Sequence, residues 1–241
     1  MNNLSIPKGQ LNINLAGFPI IFSVGFLVTV MLSFIITVST NETKRTFPFI
    51  SELGNRIPER NIFTIGVLFS SFFFFIFCAC IYYQQKHQIQ LTMSLVQGNK
   101  FIRTIKFSFI FGVLSSIFLG LAGAFPIGHS YKAHTTFAVL FYIFYCFHSL
   151  ITDVIYAIVA RFSKKLDIQD PKSSMKLAVF HFVIFATIFI LTIIFVILAA
   201  LQSEHSSSAS VVEFLIFLLI ILNSFLFYIP LKKYKMRFIG F

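Results

Sequence analysis

Apolar residues in this chain fall in unbroken runs rather than at the three-to-four-residue spacing of a helix with one wet face. Six such runs cover about 15–39, 63–83, 107–125, 135–160, 177–201 and 211–230. A bilayer core about 30 Å thick needs roughly 20 apolar residues at 1.5 Å of rise each. Each run meets that length, and a helix satisfies its own backbone in lipid. The runs absorb most of the 241 residues and leave no room for a separate soluble domain. The pattern therefore predicts one all-α membrane domain over 1–241, a six-transmembrane-helix bundle, with 40–62 as a cap loop over the helix ends. The first run is longer than the roughly 7–15 residues of a signal-peptide core and lacks a small-residue cleavage site, so it reads as an uncleaved anchor.

Composition sharpens this. Hydrophobic residues make up 57% of the chain and charged ones only 11%, against roughly 25% charged in soluble domains. That excludes an ordinary soluble enzyme, a disordered chain and a disulfide-stapled secreted domain. The 35 Phe and absence of Trp are read as a coding bias, ahead of a sterol- or lipid-binding face at Phe72–Phe75. Cys78, Cys80 and Cys146 all lie in apolar runs, where thiols behave as small hydrophobes, and no disulfide or metal pair is implied.

Charge sets the expected topology, because cytoplasmic loops are enriched in Lys and Arg. Fourteen of the 19 basic residues fall on one side. They are Lys8; Lys86, Lys100, Arg103 and Lys106; Arg161, Lys164, Lys165, Lys172 and Lys176; and Lys232, Lys233, Lys235 and Arg237. The other side carries Lys44, Arg45, Arg56, Arg60 and Lys132, largely offset by Glu42, Glu52, Glu59 and Glu204. Both termini are expected in the cytoplasm, and the net charge of +11 is mostly a topology signal. Lys232, Lys233, Lys235 and Arg237 are candidates for contact with anionic lipid head groups; nucleic acid is not called for. Asn41, in the sequon Asn41-Glu42-Thr43, falls on the lumenal side, where glycosylation requires it, whereas Asn3 does not.

The cap loop mixes Glu52, Arg56, Glu59 and Arg60 with Phe47, Phe49, Ile50 and Ile57, and Pro48, Gly54 and Pro58 punctuate it. That combination predicts an irregular segment docked at the membrane surface. In the third run Gly112, Ser116, Gly120 and Ala124 recur every four residues, a face that lets two helix backbones approach closely in lipid. This marks helix three as a packing centre within the bundle.

Only Asp153 and Glu213 are charged residues inside the runs. An intramembrane carboxylate is costly and is a functional candidate by default. Asp153 and His181 fall at similar depth on antiparallel neighbours and are expected to face each other as a buried pair, with a structural clamp favoured over a proton relay or ion site. His148 lies roughly 140° around the helix from Asp153 and is expected to meet other neighbours. Asn223 is expected to make an interhelical hydrogen bond. His134 and Glu213 stand at the lumenal mouths of their helices, and Glu52, Arg56, Glu59 and His134 form a candidate lumenal polar site. The six histidines show no ligand spacing. No metal or other cofactor is expected, no catalytic residue is assigned, and nothing in the pattern demands catalysis.

The loop Pro48-Phe-Ile-Ser-Glu-Leu-Gly-Asn-Arg-Ile-Pro-Glu-Arg-Asn-Ile-Phe63 resembles the signature of a eukaryotic family. That family unites the DRAM autophagy modulators, the transmembrane-150 proteins, the yeast Sfk protein and the Golgi GPI-anchor remodelling factor. Pro48, Ile50, Ser51, Glu52, Gly54, Pro58, Glu59 and Phe63 match its pattern in place. Gly112-Val-Leu-Ser-Ser116, Phe125 and His134 look like the DRAM-type third helix and the histidine that follows it. The DRAM-type branch often has Asp where Glu52 stands, Pro where Ile57 stands and Asn where Ala124 stands, and Pro58-Glu-Arg60 leans instead toward the GPI-remodelling relatives.

The resemblance implies roles in trafficking, autophagy or lipid regulation, and carries no catalytic set. The first expectation is a non-enzymatic endomembrane protein of the DRAM/transmembrane-150 type, lysosomal, endosomal or at the plasma membrane, modulating autophagy or phosphoinositide regulation. The alternative is a Golgi GPI-anchor lipid-remodelling factor. A transporter built on Asp153 and His181 is disfavoured by the absence of mid-membrane helix breaks.

Overall fold

The computed structural model describes residues 10–40, 47–93, 95–128, 130–166, 171–201 and 207–239, without side chains for 10–13, 95–97, 163–166, 171–174, 199–201 and 235–239. Its helices are α1 (Gly17–Ser39), α2 (Glu59–Thr92), α3 (Leu95–Ala124), α4 (Tyr131–Leu166), α5 (Pro171–Leu201), α6 (Ser208–Leu226) and the single turn α7 (Tyr228–Leu231). Six of these stretches are long and apolar enough to cross a membrane, as the runs predict. Several outlast the apolar run: α2 starts four residues before Phe63 and continues to Thr92, and α4 continues to Leu166. The extra turns are polar, so hydropathy does not register them; helix geometry continues past the bilayer because its polar groups meet water there. Pro171 opens α5 at the first helical position, where its missing N–H has no partner to lose.

Each helix packs on its neighbours in chain order, α6 closes back on α1, and α2 also touches α4. Helix α3 lies in the groove between α2 and α4. Helix α3 makes the two most extensive pairings, with α2 and α4, while α2 is the hub by number of partners, meeting α1, α3, α4 and the cap. The small-residue face nevertheless does what its spacing demands. A Cβ on Gly112 would lie 2.7 Å from Cys78 Sγ and 3.1 Å from His148 Nδ1. On Gly123 it would lie 2.6 Å from Val67 Cγ1, and on Gly120 3.0 Å from Ser71 Oγ. Ser116 is buried beside them, but Ala124 is exposed. The helix turns enough over three turns for Gly123 to take over the contact.

The core is aromatic. Phe22 and Phe74 are fully buried and lie 4.9 Å apart, with Phe77 joining both. Phe72 and Phe75 are exposed, so the run 72–75 spreads round its helix instead of forming one aromatic face. Large exposed residues such as Ile65, Val179, Phe182, Ile190 and Val196 belong against acyl chains, where an apolar surface carries no penalty.

Opposite ends of α1 carry two closures. At its C-terminal end lies the cap, whose core is a 3₁₀ helix at Ile50–Gly54, a short regular element where the sequence predicts none. At its N-terminal end a ribbon forms: β1 (Gln10–Asn14) pairs antiparallel with β2 (Lys235–Ile239), Leu11 opposite Phe238 and Ile13 opposite Met236. Leu15 N continues it with a hydrogen bond to Tyr234 O. The two ends of the chain are therefore tied together on one face, termed here the terminal face; the other is the cap face.

Candidate functional site

On the cap face the loop is held by its carboxylates. Phe49 N–H donates to Glu52 Oε2 at 3.0 Å, and Arg56 N–H to Glu59 Oε1 at 2.9 Å. The buried Glu213 of α6 accepts from Ile50 N–H at 2.7 Å. Phe47 wedges between Phe34 of α1 and Phe214 of α6, with ring centroids 5.4 and 4.7 Å away. Asn55 Oδ1 accepts from Gly128 N–H and joins the cap to the α3–α4 turn. His134 points Nδ1 at two carbonyls, Ala122 O and Phe125 O, both at 2.9 Å. That places the proton on Nδ1 and closes the α3 C-terminus onto α4.

The expected polar group of Glu52, Arg56, Glu59 and His134 does not assemble as one site. Glu52 and Glu59 each turn an oxygen to the cap's own backbone, and Arg56 is exposed. His134 instead shares a cavity of about 60 Å³ with Ser51, Tyr142 and Glu213, walled by Phe26, Phe63 and Phe141 among others. Gly54 and Phe63 of the loop signature are packing partners: a Cβ on Gly54 would lie 2.8 Å from the Phe63 ring. Asn41 lies outside the described residues.

In the interior, Asp153 and His181 are both buried but do not pair directly, which corrects the expectation. His181 Nδ1 donates to Asn223 Oδ1 at 2.8 Å. Asn223 Nδ2 donates to Tyr145 Oη (3.1 Å) and Ser149 Oγ (3.2 Å), and Ser149 Oγ reaches Asp153 Oδ2 at 3.5 Å. Asn223 thus joins α4, α5 and α6. A second cluster ties α2, α3 and α4: Ser108 Oγ lies 3.1 Å from His148 Nδ1 and 2.9 Å from Thr152 Oγ1. Cys78 Sγ approaches His148 Nε2 at 3.6 Å, and Gln85 Nε2 donates to Thr152 O. Tyr156 donates to Gln84 Oε1. Most of these partners leave no mark in the apolar pattern, yet Tyr145, Ser149, Thr152 and Tyr156 stand at intervals of four, three and four. That is a polar stripe on one face of an otherwise apolar helix.

On the terminal face a cavity of about 220 Å³ opens between the ends of α2, α4 and α5 and the turn α7. Exposed Lys232 and Lys233 stand at its rim; Gln88, Tyr156 and His181 line it, with Val159, Ala160, Ala178 and Pro230 among the apolar wall. No acidic residue is among those lining it. Lys235 and Arg237 belong to β2, opposite Asn14 and Asn12. Beside the cavity, burial raises the Tyr234 phenol above its usual range, against the opposing effect of a hydrogen bond from Gln88. Among the described residues no three or more His, Cys, Asp or Glu converge as a metal site would require.

Six apolar spans, polar clusters that clamp helices together and a docked cap define an α-helical multi-pass membrane protein. Residues 13–234 match the family described as the Frag1/DRAM/Sfk1/Cwh43P N-terminal domain, and the chain belongs to that family. No curated protein and no solved structure matches it.

Proposed function

We propose that this chain is a non-enzymatic endomembrane protein of the DRAM/transmembrane-150 type, with both termini cytoplasmic, that modulates autophagy or membrane-lipid regulation, including phosphoinositides. The observation that carries this reading is the use of the intramembrane histidines. His134 clamps α4 to the end of α3, His148 clamps α4 to α3, and His181 clamps α5 to α6. Groups engaged in holding helices support a scaffold more than a reaction centre. Lys232 and Lys233 are exposed on the face that gathers both chain ends, where a cytoplasmic leaflet offers about 1 kcal/mol per basic residue at its surface.

Tagging the chromosomal copy and imaging it against compartment markers tests the reading. Lysosomal, endosomal or surface signal is expected, together with altered autophagic flux or phosphoinositide levels in the null strain. Replacing Lys232, Lys233, Lys235 and Arg237 by Gln is expected to weaken liposome binding at unchanged expression. No change in liposome binding or in phenotype would overturn the proposed role of the basic face.

A second reading, a Golgi GPI-anchor lipid-remodelling factor, is favoured by the cavity beneath the cap. There His134, its Nδ1 proton shared by two carbonyls, faces the same space as Ser51, Tyr142 and Glu213. Golgi signal with altered lipid on GPI-anchored proteins in the null strain would support it, and normal GPI lipids would remove it.

A further inference from the structure

We propose that the terminal-face cavity between α2, α4, α5 and α7 is a binding site for one phospholipid with a hydroxyl-bearing head group, of the phosphatidylinositol or phosphatidylglycerol class. This deepens the lipid-regulatory reading above and rests on it for its biological meaning, but not for the binding itself.

The chemistry of the lining selects the ligand. Lys232 and Lys233 are adjacent, exposed and at the rim, with no carboxylate among the lining residues to neutralise them. Two ammonium groups offering up to three donors each match the phosphate of a diester. Inside the rim the lining changes character. His181 is buried and its ring is fixed by the Nδ1 bond to Asn223 and by contact with Phe227 at a 4.3 Å centroid distance. With Nδ1 donating, Nε2 is an acceptor, and it has no hydrogen-bond partner. Gln88 Oε1, also on the lining, is a second acceptor without one.

The unsatisfied groups continue one turn deeper, at Gln84 Nε2, Gln85 Oε1 and Asp153 Oδ1. Buried polar atoms are nearly always satisfied, so a cluster of orphans beginning at a cavity wall marks a place where a ligand or its waters complete the set. Acceptors in the wall call for donors on the ligand. The hydroxyls of inositol or glycerol supply them, whereas a choline head group has none and a bare phosphate at neutral pH has few. Tyr156 also lines the cavity, and Val159, Ala160, Leu177, Ala178, Ile229 and Pro230 form the rest, an apolar wall suited to the start of the acyl chains. The mouth lies at the end of the spans, the depth at which head groups sit.

The test uses the purified full-length chain in neutral detergent micelles, where membrane orientation and compartment play no part. Dioctanoyl phosphatidylinositol, phosphatidylglycerol, phosphatidate and phosphatidylcholine, and separately inorganic phosphate and free inositol, are titrated by native mass spectrometry and calorimetry. One-to-one saturable binding of the inositol and glycerol lipids is expected, weaker binding of phosphatidate and none of the choline lipid. The K232Q/K233Q variant is expected to lose about thirtyfold in affinity. Ala160→Leu fills the cavity without altering charge and is expected to lose binding at least as strongly; Ala178→Leu is the second filler should the first not fold. Unchanged melting temperature and helical content qualify each variant.

Equal binding of the choline lipid, or full affinity in a folded cavity-filling variant, would overturn the proposal. Inorganic phosphate binding as tightly as the lipids would make this an ion site and overturn it too. Binding that holds in micelles while the tagged protein shows no lipid or autophagy phenotype would leave the pocket standing and remove the functional reading.

Discussion

Gly112 shows how a single absent methyl group sets the distance between two helices. Gly112→Ala places its Cβ against Cys78 Sγ and close to His148, and overpacking of this kind costs about 1–3 kcal/mol. The purified variant is expected to melt lower, and Cys78→Ala in the same chain is expected to recover much of the loss, because the sulfur is the nearest obstacle. Equal losses in the single and double variants would show that His148 or the backbone sets the contact instead. Asn223 works through bonds rather than space. Asn223→Leu releases His181, Tyr145 and Ser149 together and is expected to cost about 2 kcal/mol in a denaturant titration. Ser149→Ala removes one partner and is expected to cost nearer 0.6 kcal/mol, the usual worth of a hydrogen bond between membrane helices.

The cap is the element with the most specific composition and the clearest division of labour. Its own glutamates order it, and Glu213 anchors it to α6 through the Ile50 amide. Glu213→Ala is expected to speed hydrogen exchange at Ile50 by about fivefold, the equivalent of one lost hydrogen bond of about 1 kcal/mol. Glu213→Gln retains an oxygen acceptor and is expected to change it less; equal effects would assign the anchoring to Phe47 packing instead. Existence and approximate limits of the six spans were legible, because lipid demands twenty-residue apolar runs and little else produces them. The family-like loop was legible as a docked segment. The role of α2 as hub was not, since a continuous apolar run looks the same from every side and the order of contacts belongs to the assembled bundle. Asp153 and His181 are both buried, but the depth read from a sequence leaves rotation free. The intervening Asn223 and Ser149 decide what each meets.

At the scale of the whole molecule the two faces differ in kind: carboxylates turned inward to hold a cap at one, exposed lysines around an open cavity at the other. The proposed orientation has a direct check. In sealed microsomes Lys233→Cys is expected to react with an impermeant maleimide, and Arg56→Cys only after the membrane is opened. Both replaced positions are exposed, so the reverse pattern would invert the topology.

The ribbon that joins Gln10–Asn14 to Lys235–Ile239 bears on how the chain is made. A ribosome delivers α1 well before α6, yet each covers a flank of the other. The first helix must therefore wait in the bilayer, one side bare, until the final span leaves the insertion machinery. Chains halted before residue 208 are expected to crosslink readily between α1 and quality-control factors, and chains that have released β2 are not. The molecule closes like a clasp: α2 covers one side of α1 at once, and the flank against α6 is sealed only at the end.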